Sequence, residues 1–113
     1  ADPSAVRPYD GGDRYVPGYV PRHQVTTLPR VKRQVRPKYT EAGRRAGIEG
    51  QVKARIRISA EGRVTDVKIV SGLGYGLDEE AERALRQFVF EPAKIDGRPV
   101  GTEILFKITF ILD

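Results

Sequence analysis

A strict alternation of apolar and polar side chains over residues 51–59 constrains the fold of this chain more than any other feature. The apolar set and the polar set occupy alternate positions: Val52, Ala54, Ile56 and Ile58 against Gln51, Lys53, Arg55, Arg57 and Ser59. A period of two is the period of a β-strand, in which successive side chains point to opposite faces. The pattern therefore predicts a strand with one buried face and one exposed face.

Two further strands follow from similar patterns. Residues 60–62 predict a tight turn, because Gly62 can adopt the positive φ that such turns require. The strand predicted at residues 63–70 then returns antiparallel to the first. A third strand is predicted at residues 102–112, and its inward side chains would be Ile104, Phe106, Ile108, Phe110 and Leu112. The opposite face of this strand carries Leu105 and Ile111, so it is more apolar than a solvated face requires.

Two helices are predicted between and before these strands. Thr40 is a suitable N-cap for a short helix over residues 41–46, which Gly47 would close. Asp78 is a suitable N-cap for a second helix, which Pro92 would end because the residue before a proline disfavours helical geometry. The apolar stripe of this second helix has helical spacing: Ala81, Ala84, Leu85 and Phe88.

The order helix, strand, strand, helix, strand predicts the α+β class. We expect a three-stranded antiparallel sheet in the order 2-1-3, with both helices packed on one face. Strands two and three are joined through a helix, and such crossovers usually bring their strands into parallel orientation with a right-handed connection. Strand one would then lie between them and run antiparallel to both.

The net charge of +5 is confined to the N-terminal third of the 113-residue chain. The first 38 residues contain eight basic and three acidic side chains, and the remainder contains twelve of each. Six of the eight prolines also lie there. We therefore predict a basic, extended or disordered linker at residues 1–30 and a folded domain at residues 31–113. A solvated tether is favoured over a nucleic-acid-binding module, because no aromatic stacking platform accompanies the charge.

No group of residues indicates catalysis. The chain has no cysteine and its one histidine, His23, lies in the predicted linker. The glycines at residues 72–76 do not have the spacing of a dinucleotide-binding or phosphate loop. The acidic residues that begin the second predicted helix complement its dipole and need no metal to explain them. We therefore expect a protein that is not an enzyme and that has no cofactor and no metal site.

The predicted sheet leaves an open edge at its third strand. An unpaired edge exposes backbone N–H and C=O groups to any extended peptide. Three occupants remain open at this point: a second copy of the chain in a homodimer, the linker folded back onto the edge, or a partner strand added to it.

A series of short motifs resembles the TonB C-terminal domain family. The motifs occur in the family's order over about residues 35–112: Pro37-Lys38-Tyr39, Ala46-Gly47-Ile48-Glu49-Gly50-Gln51-Val52, Gly62-Arg63-Val64, Val70-Ser71-Gly72, Leu77-Asp78, Phe90-Glu91-Pro92-Ala93, Gly97-Arg98-Pro99-Val100 and Ile104-Leu105-Phe106-Lys107-Ile108. Each motif is weak alone, and their order and spacing make the resemblance specific. The predicted fold is similar to that of the family.

The resemblance implies the periplasmic domain of a protein anchored in the inner membrane by a segment absent from this chain. In that family a proton-driven motor of the ExbB/ExbD type supplies energy for uptake through TonB-dependent outer-membrane transporters. The domain docks the transporter's N-terminal box peptide by strand addition. The implied peptide-binding residues are Arg36, Pro37, Lys38, Tyr39, Thr102, Glu103, Ile104, Leu105, Phe106, Lys107, Ile108, Thr109 and Phe110. An alternative is a similar domain of another envelope-spanning machine, for gliding motility or secretion.

Overall fold

The long strands of this domain coincide with the alternating segments of the sequence, and the longer of its two helices packs against two of them. The computed structural model describes residues 19–113. The helices are α1 (Glu41–Arg45) and α2 (Leu77–Arg86). The strands are β1 (Tyr19–Val20), β2 (Arg30–Arg33), β3 (Gly50–Ile58), β4 (Val64–Ser71), β5 (Val89–Glu91), β6 (Ala93–Ile95) and β7 (Arg98–Phe110). A 3₁₀ turn at Arg22–Gln24 follows β1. No helix in this part of the chain is long and apolar enough to cross a membrane.

The main sheet has the strand order β1-β7-β3-β4, and β6 pairs with β7 outside this path. Strand β3 pairs antiparallel with β4 on one side and with β7 on the other. The pairing with β7 is the longer of the two and extends from Gly50 opposite Phe110 to Ile58 opposite Thr102. The structure therefore confirms the α+β class with two helices.

The prediction of a purely antiparallel, three-stranded sheet is met only in part: β4, β3 and β7 pair antiparallel in that order, but further strands join them. Strand β1 pairs parallel with β7, with Tyr19 opposite Gly101 and Val20 opposite Thr102, so the sheet is mixed. Strand β6 pairs antiparallel with the first residues of β7, and β2 pairs with β5 in a separate two-stranded sheet. These added strands are only two to four residues long. Segments this short are too short to show a detectable alternation of apolar and polar residues. They are strands because their backbones pair with distant segments of the chain.

The core lies between the inner face of the main sheet and α2. The inward residues of β3 are almost completely buried, as their alternation predicted. The buried apolar residues are Val52, Ala54, Ile56, Ile58, Val67, Leu77, Ala81, Ala84, Leu85, Phe88, Phe90, Ala93, Ile104, Ile108 and Phe110. The four buried side chains of α2 recur at the three- and four-residue intervals of one helix face, so a single stripe faces the sheet.

The ends of α2 differ from the prediction. The helix begins after Gly76, which has a φ of 77°. The Asp78 carboxylate accepts hydrogen bonds from the backbone N–H groups of Leu73 (2.8 Å) and Gly74 (3.2 Å), so it stabilises the preceding loop and is not the N-cap. The helix ends at Arg86, well before Pro92, because residues 89–91 pair with β2 as strand β5.

The first helix begins as predicted and is one residue shorter. The Thr40 hydroxyl caps α1 by accepting a hydrogen bond from the Gly43 backbone N–H at 3.0 Å. Gly43 is the one buried residue of α1, and a Cβ added there would come within 3.0 Å of the Leu77 side chain. The absence of a side chain at Gly43 therefore lets α1 approach the beginning of α2.

The predicted linker is described only in part. Its residues 1–18 lie outside the described residues. Its residues 19–30 contact the domain, through β1 and through the Thr26 backbone N–H, which donates a hydrogen bond to the Lys94 carbonyl at 2.8 Å. The Thr26 hydroxyl also accepts a hydrogen bond from the Asp96 N–H at 2.8 Å.

Candidate functional site

The second edge of β7 is the most distinctive feature of the described surface. Strand β3 occupies the first edge of β7 from Thr102 to Phe110. On the second edge, β1 pairs only with Gly101 and Thr102. From Ile104 to Phe110 this second edge has no partner strand within residues 19–113. Unpaired backbone donors and acceptors in such a row can hydrogen-bond an added strand.

A groove of about 950 Å³ runs between the C-terminal half of β7 and the segment that precedes α1. The wall opposite β7 is residues 34–39, which lead from β2 to the N-cap of α1. The lining residues are Gln34, Val35, Arg36, Pro37, Lys38, Tyr39, Arg44, Phe88, Phe106, Lys107, Ile108, Thr109, Phe110, Ile111, Leu112 and Asp113. The groove therefore lies alongside the residues of β7 whose second edge is unpaired.

Aromatic rings form part of the groove lining. Phe106 packs edge-on against Phe88, with ring centroids 5.6 Å apart, and against Phe90 at 5.8 Å. Phe110 packs edge-on against Tyr39 at 5.4 Å. Edge-to-face pairs at these distances are favourable and orient both rings. The rings therefore give the groove a preformed apolar surface that can receive side chains of an added strand.

Tyr39 holds the groove wall in place through three contacts. Its hydroxyl donates a hydrogen bond to the Ile48 carbonyl, and its ring packs against Phe110. The Arg44 guanidinium lies over the same ring, 5.2 Å from the centroid, at a distance suited to a cation–π interaction. Burial raises the pKa of the Tyr39 phenol and nearby Glu49 raises it further, whereas Arg44 opposes this shift. The phenol therefore stays protonated and keeps donating to Ile48 at neutral pH.

Glu49 fixes the far end of the groove. One of its carboxylate oxygens accepts a hydrogen bond from the Leu112 backbone N–H at 2.8 Å. This contact lies just past the last residue of β7, where the ladder with β3 has ended. A charged acceptor makes a stronger hydrogen bond than a neutral one, so Glu49 continues the support of β7 where backbone pairing stops.

The structure brings together only some of the residues that the resemblance implied. The four residues of the wall and the later residues of β7 line one groove: Arg36, Pro37, Lys38, Tyr39, Phe106, Lys107, Ile108, Thr109 and Phe110. The earlier residues of β7 do not line it: Thr102, Glu103, Ile104 and Leu105.

Each of the four other residues has a different environment. Thr102 is fully buried, and its hydroxyl donates to the Val20 carbonyl at 2.7 Å. The Glu103 carboxylate lies on the outer face of the sheet, 3.8 Å from Arg55 Nε and 3.7 Å from Arg57 Nε. Ile104 belongs to the buried core, and Leu105 is half-buried on the outer face. A partner strand could meet these residues only through their backbone groups.

The sequence-based prediction of the site did not include several residues that line the groove. Arg44 lies on α1 and Phe88 lies between α2 and β5, and both line the groove with Val35. Nothing local distinguishes Arg44 from the other arginines of the chain. Phe88 was assigned to the core stripe of the second helix, and it is indeed buried, but its ring also contacts Phe106. Among residues 19–113, no group of three or more His, Cys, Asp or Glu side chains is placed to hold a metal ion.

Comparisons with known proteins all point to one group. The family model described as Gram-negative bacterial TonB protein C-terminal matches residues 35–112. The chain is 37% identical over 84 residues to Protein TonB of Vibrio cholerae, covering 74% of this chain and 34% of that protein. It is 35% identical over 89 residues to Protein TonB of Escherichia coli, covering 78% of this chain and 37% of that protein. The chain thus spans about a third of the length of these curated relatives.

A solved structure has a similar fold. The solution NMR structure of the Pseudomonas aeruginosa TonB CTD matches with a TM-score of 0.55 at 24% sequence identity. The match covers 75% of this chain and 87% of that one. At this identity the likeness is evidence for the fold alone.

Proposed function

Because the chain belongs to the family of Gram-negative bacterial TonB protein C-terminal domains, we propose that it is the periplasmic partner-binding domain of a TonB-type energy transducer. The partner is the N-terminal box peptide of an outer-membrane transporter. A segment outside this chain anchors the protein in the inner membrane and engages a proton-driven motor of the ExbB/ExbD type. The domain transmits the energy of that motor to the transporter for active uptake.

The observation that carries the proposal is the unpaired edge of β7 beside an open groove. Between Ile104 and Phe110 no strand of the described chain pairs with this edge, and residues 34–39 stand across the groove from it. We place one extended chain in the groove between them. A peptide added there gains main-chain hydrogen bonds from β7, and its alternate side chains can contact the rings of Phe106 and Phe110.

The energy-transducing part of the proposal follows from the two places where force would act on the domain, its N-terminal end and the docked peptide. Of the described residues, Tyr19 and Val20 of β1 come first in the chain, and β1 pairs with β7. The docked peptide would pair with the same strand a few residues further on. Force on the N-terminal segment would therefore reach the docked peptide through one strand, and the strand itself is held by the long ladder with β3.

The first experiment is an NMR titration of the chain with synthetic box peptides from outer-membrane transporters, followed by amide hydrogen exchange. Backbone N–H groups alternate between the two edges of a strand. Between Glu103 and Phe110, every second amide already bonds to β3 and is protected. Strand addition should protect the other amides, so we expect a new protection that alternates along β7, with shifts also at Arg36–Tyr39.

A peptide with proline at alternate positions is the matched control, because it lacks the donors that an added strand needs. It should leave the exchange of β7 unchanged. New protection of helix surfaces without the alternation in β7 would contradict strand addition. If a folded, monomeric protein binds none of the transporter peptides, the domain serves another envelope-spanning machine, the alternative named from the sequence.

A further inference from the structure

A run of five cations with no acidic residue among them in the sequence leads into the groove. Arg30, Lys32 and Arg33 lie in β2, and Arg36 and Lys38 lie in the groove wall. No acidic residue occurs between positions 30 and 38. All five side chains are exposed. We call these five residues the basic track.

Five other arginines of the domain lie close to carboxylates. On the helices, Arg86 is 2.9 Å from Glu82, Arg83 is 3.6 Å from Glu80, and Arg45 is 3.7 Å from Glu41. On the outer face of the sheet, Arg55 and Arg57 share Glu103. Within residues 19–113, no carboxylate forms an ion pair with any residue of the basic track. Glu91 is opposite Arg30 in the ladder, but the two side chains form no ion pair.

The basic track runs beside the groove. Its first part is β2, which pairs with β5, and β5 leads within two residues to β6, the partner of the first residues of β7. Its last residue, Lys38, directly precedes Tyr39, whose ring contacts Phe110 near the end of β7. The track and β7 therefore extend in the same direction on the two sides of the groove. An extended chain docked against β7 would pass along the cations.

We propose that the basic track binds an acidic segment that flanks the docked strand of the partner. The inference rests on the proposed function, because the docked strand brings the acidic segment to the track. The occupant is an extended peptide, since the track leads into the groove beside the unpaired edge of β7 and β2 presents exposed side chains along an edge strand. Side chains on an edge strand can form ion pairs with a neighbouring chain, and salt screens such exposed pairs.

The test uses a synthetic host peptide of alternating threonine and valine, which can add as a strand, carrying three glutamates or three glutamines at either end. Affinities are measured by fluorescence anisotropy at about 50 mM and at about 300 mM NaCl. At the higher concentration the Debye length falls well below about 10 Å. We expect the glutamate-flanked peptide to bind about tenfold more tightly than the glutamine-flanked one at low salt, equivalent to about 1.4 kcal/mol. Most of this difference should disappear at high salt.

The variant that tests the residues is the triple substitution Arg30→Gln, Lys32→Gln and Arg33→Gln. It should remove most of the preference for the glutamate flank and leave the affinity for the glutamine-flanked peptide nearly unchanged. The triple substitution Arg22→Gln, Arg63→Gln and Lys68→Gln removes the same charge from exposed positions elsewhere, and it should keep the preference.

Three results would overturn the inference. Equal affinity for the two flanks would overturn it and leave the proposed function standing, because strand docking would still occur. If the folded protein binds neither of these peptides and no transporter box peptide, both the inference and the proposed function are overturned. Tighter, more salt-dependent binding of a DNA oligonucleotide than of the glutamate-flanked peptide would assign the track to nucleic acid.

Discussion

Gly62 occupies the position in the domain where a side chain fits least. Its φ is 87°, and a Cβ there would lie 1.9 Å from the carbonyl oxygen of Phe90. The Gly62 carbonyl also accepts a hydrogen bond from the Phe90 N–H at 2.8 Å. The turn of the β3–β4 hairpin and strand β5 therefore approach each other at a distance that only glycine permits.

We expect Gly62→Ala to destabilise the domain by about 3 kcal/mol or more, since the left-handed backbone alone costs about 1–2 kcal/mol and the clash adds to it. Gly47→Ala is the matched control, because Gly47 has a φ of 67° and no atom within 4 Å of the added Cβ. Urea denaturation of both variants measures the difference. Equal losses of stability would show that the contact with Phe90 does not constrain the turn.

Tyr39 should make the stability of the domain depend on pH in the alkaline range. Its pKa is raised in the folded state by burial and by Glu49, and a tyrosine in the unfolded chain titrates near about 10. The stabilisation is therefore complete below about pH 10 and is lost as the pH rises through the folded-state pKa. The free energy of unfolding of the wild type should fall more steeply above about pH 10 than that of Tyr39→Phe. Parallel curves for the two proteins would contradict this.

At the scale of elements, β1 is the shortest strand of the described residues and can be removed by a short N-terminal deletion. It has two residues, and its ladder to β7 is reinforced by the Thr102 hydroxyl bond to Val20 at 2.7 Å. The Tyr19 hydroxyl lies 2.6 Å from the Thr65 hydroxyl. The Arg57 guanidinium lies over the Tyr19 ring, 5.9 Å from its centroid. Strand β1 thus occupies the beginning of an edge that has no other partner strand from Ile104 to Phe110 within residues 19–113.

Deletion of residues 1–20 should leave the domain folded and extend the free edge of β7. We expect faster amide exchange at residues 101–103 and unchanged exchange in β3, because β3 holds the opposite edge of β7. Thr102→Val, which removes only the side-chain bond, should give a smaller change in the same direction. Unchanged exchange at residues 101–103 after the deletion would mean that β1 does not protect this edge.

The end of α2 shows why the helix boundary could not be predicted from the local sequence. Phe88 and Phe90 are both buried, and this spacing fits a strand, while Phe88 also fits the helical stripe with Ala81 and Leu85. The local sequence supports both interpretations. Pairing of Val89 with Arg33 decides for the strand, and this pair joins residues more than fifty positions apart. No local pattern encodes such a contact, so the sequence predicted a helix that continued too far.

At the scale of the molecule, one aromatic cluster connects the two sheets. Phe90 belongs to β5 of the small sheet, Phe106 belongs to β7 of the main sheet, and their ring centroids are 5.8 Å apart. Phe88 contacts both rings. The small sheet continues into the groove wall, so this cluster also supports the geometry of the groove.

Phe90→Leu should therefore loosen the small sheet and the wall more than the main sheet. We expect global stability to fall by about 1–2 kcal/mol, as for other changes of core shape. The amide exchange rates of residues 31–39 should rise by more than the loss of global stability alone would cause. Val67→Ala, a core truncation in β4, is the control that lowers global stability without this local effect. A uniform rise in exchange in both variants would show that the two sheets open as one unit.

By itself the sequence determined the features that depend on neighbours within one element. The alternation over residues 51–59 predicted strand β3 and its buried face, and Thr40 marked the beginning of α1. The motifs of residues 35–112 identified the family. Only the tertiary structure decided that residues 34–39 stand opposite the end of β7, that β1 covers Gly101 and Thr102, and that Arg44 and Phe88 line the groove. These contacts join distant segments through surface complementarity and backbone pairing, and neither leaves a periodic signal in the residues that take part.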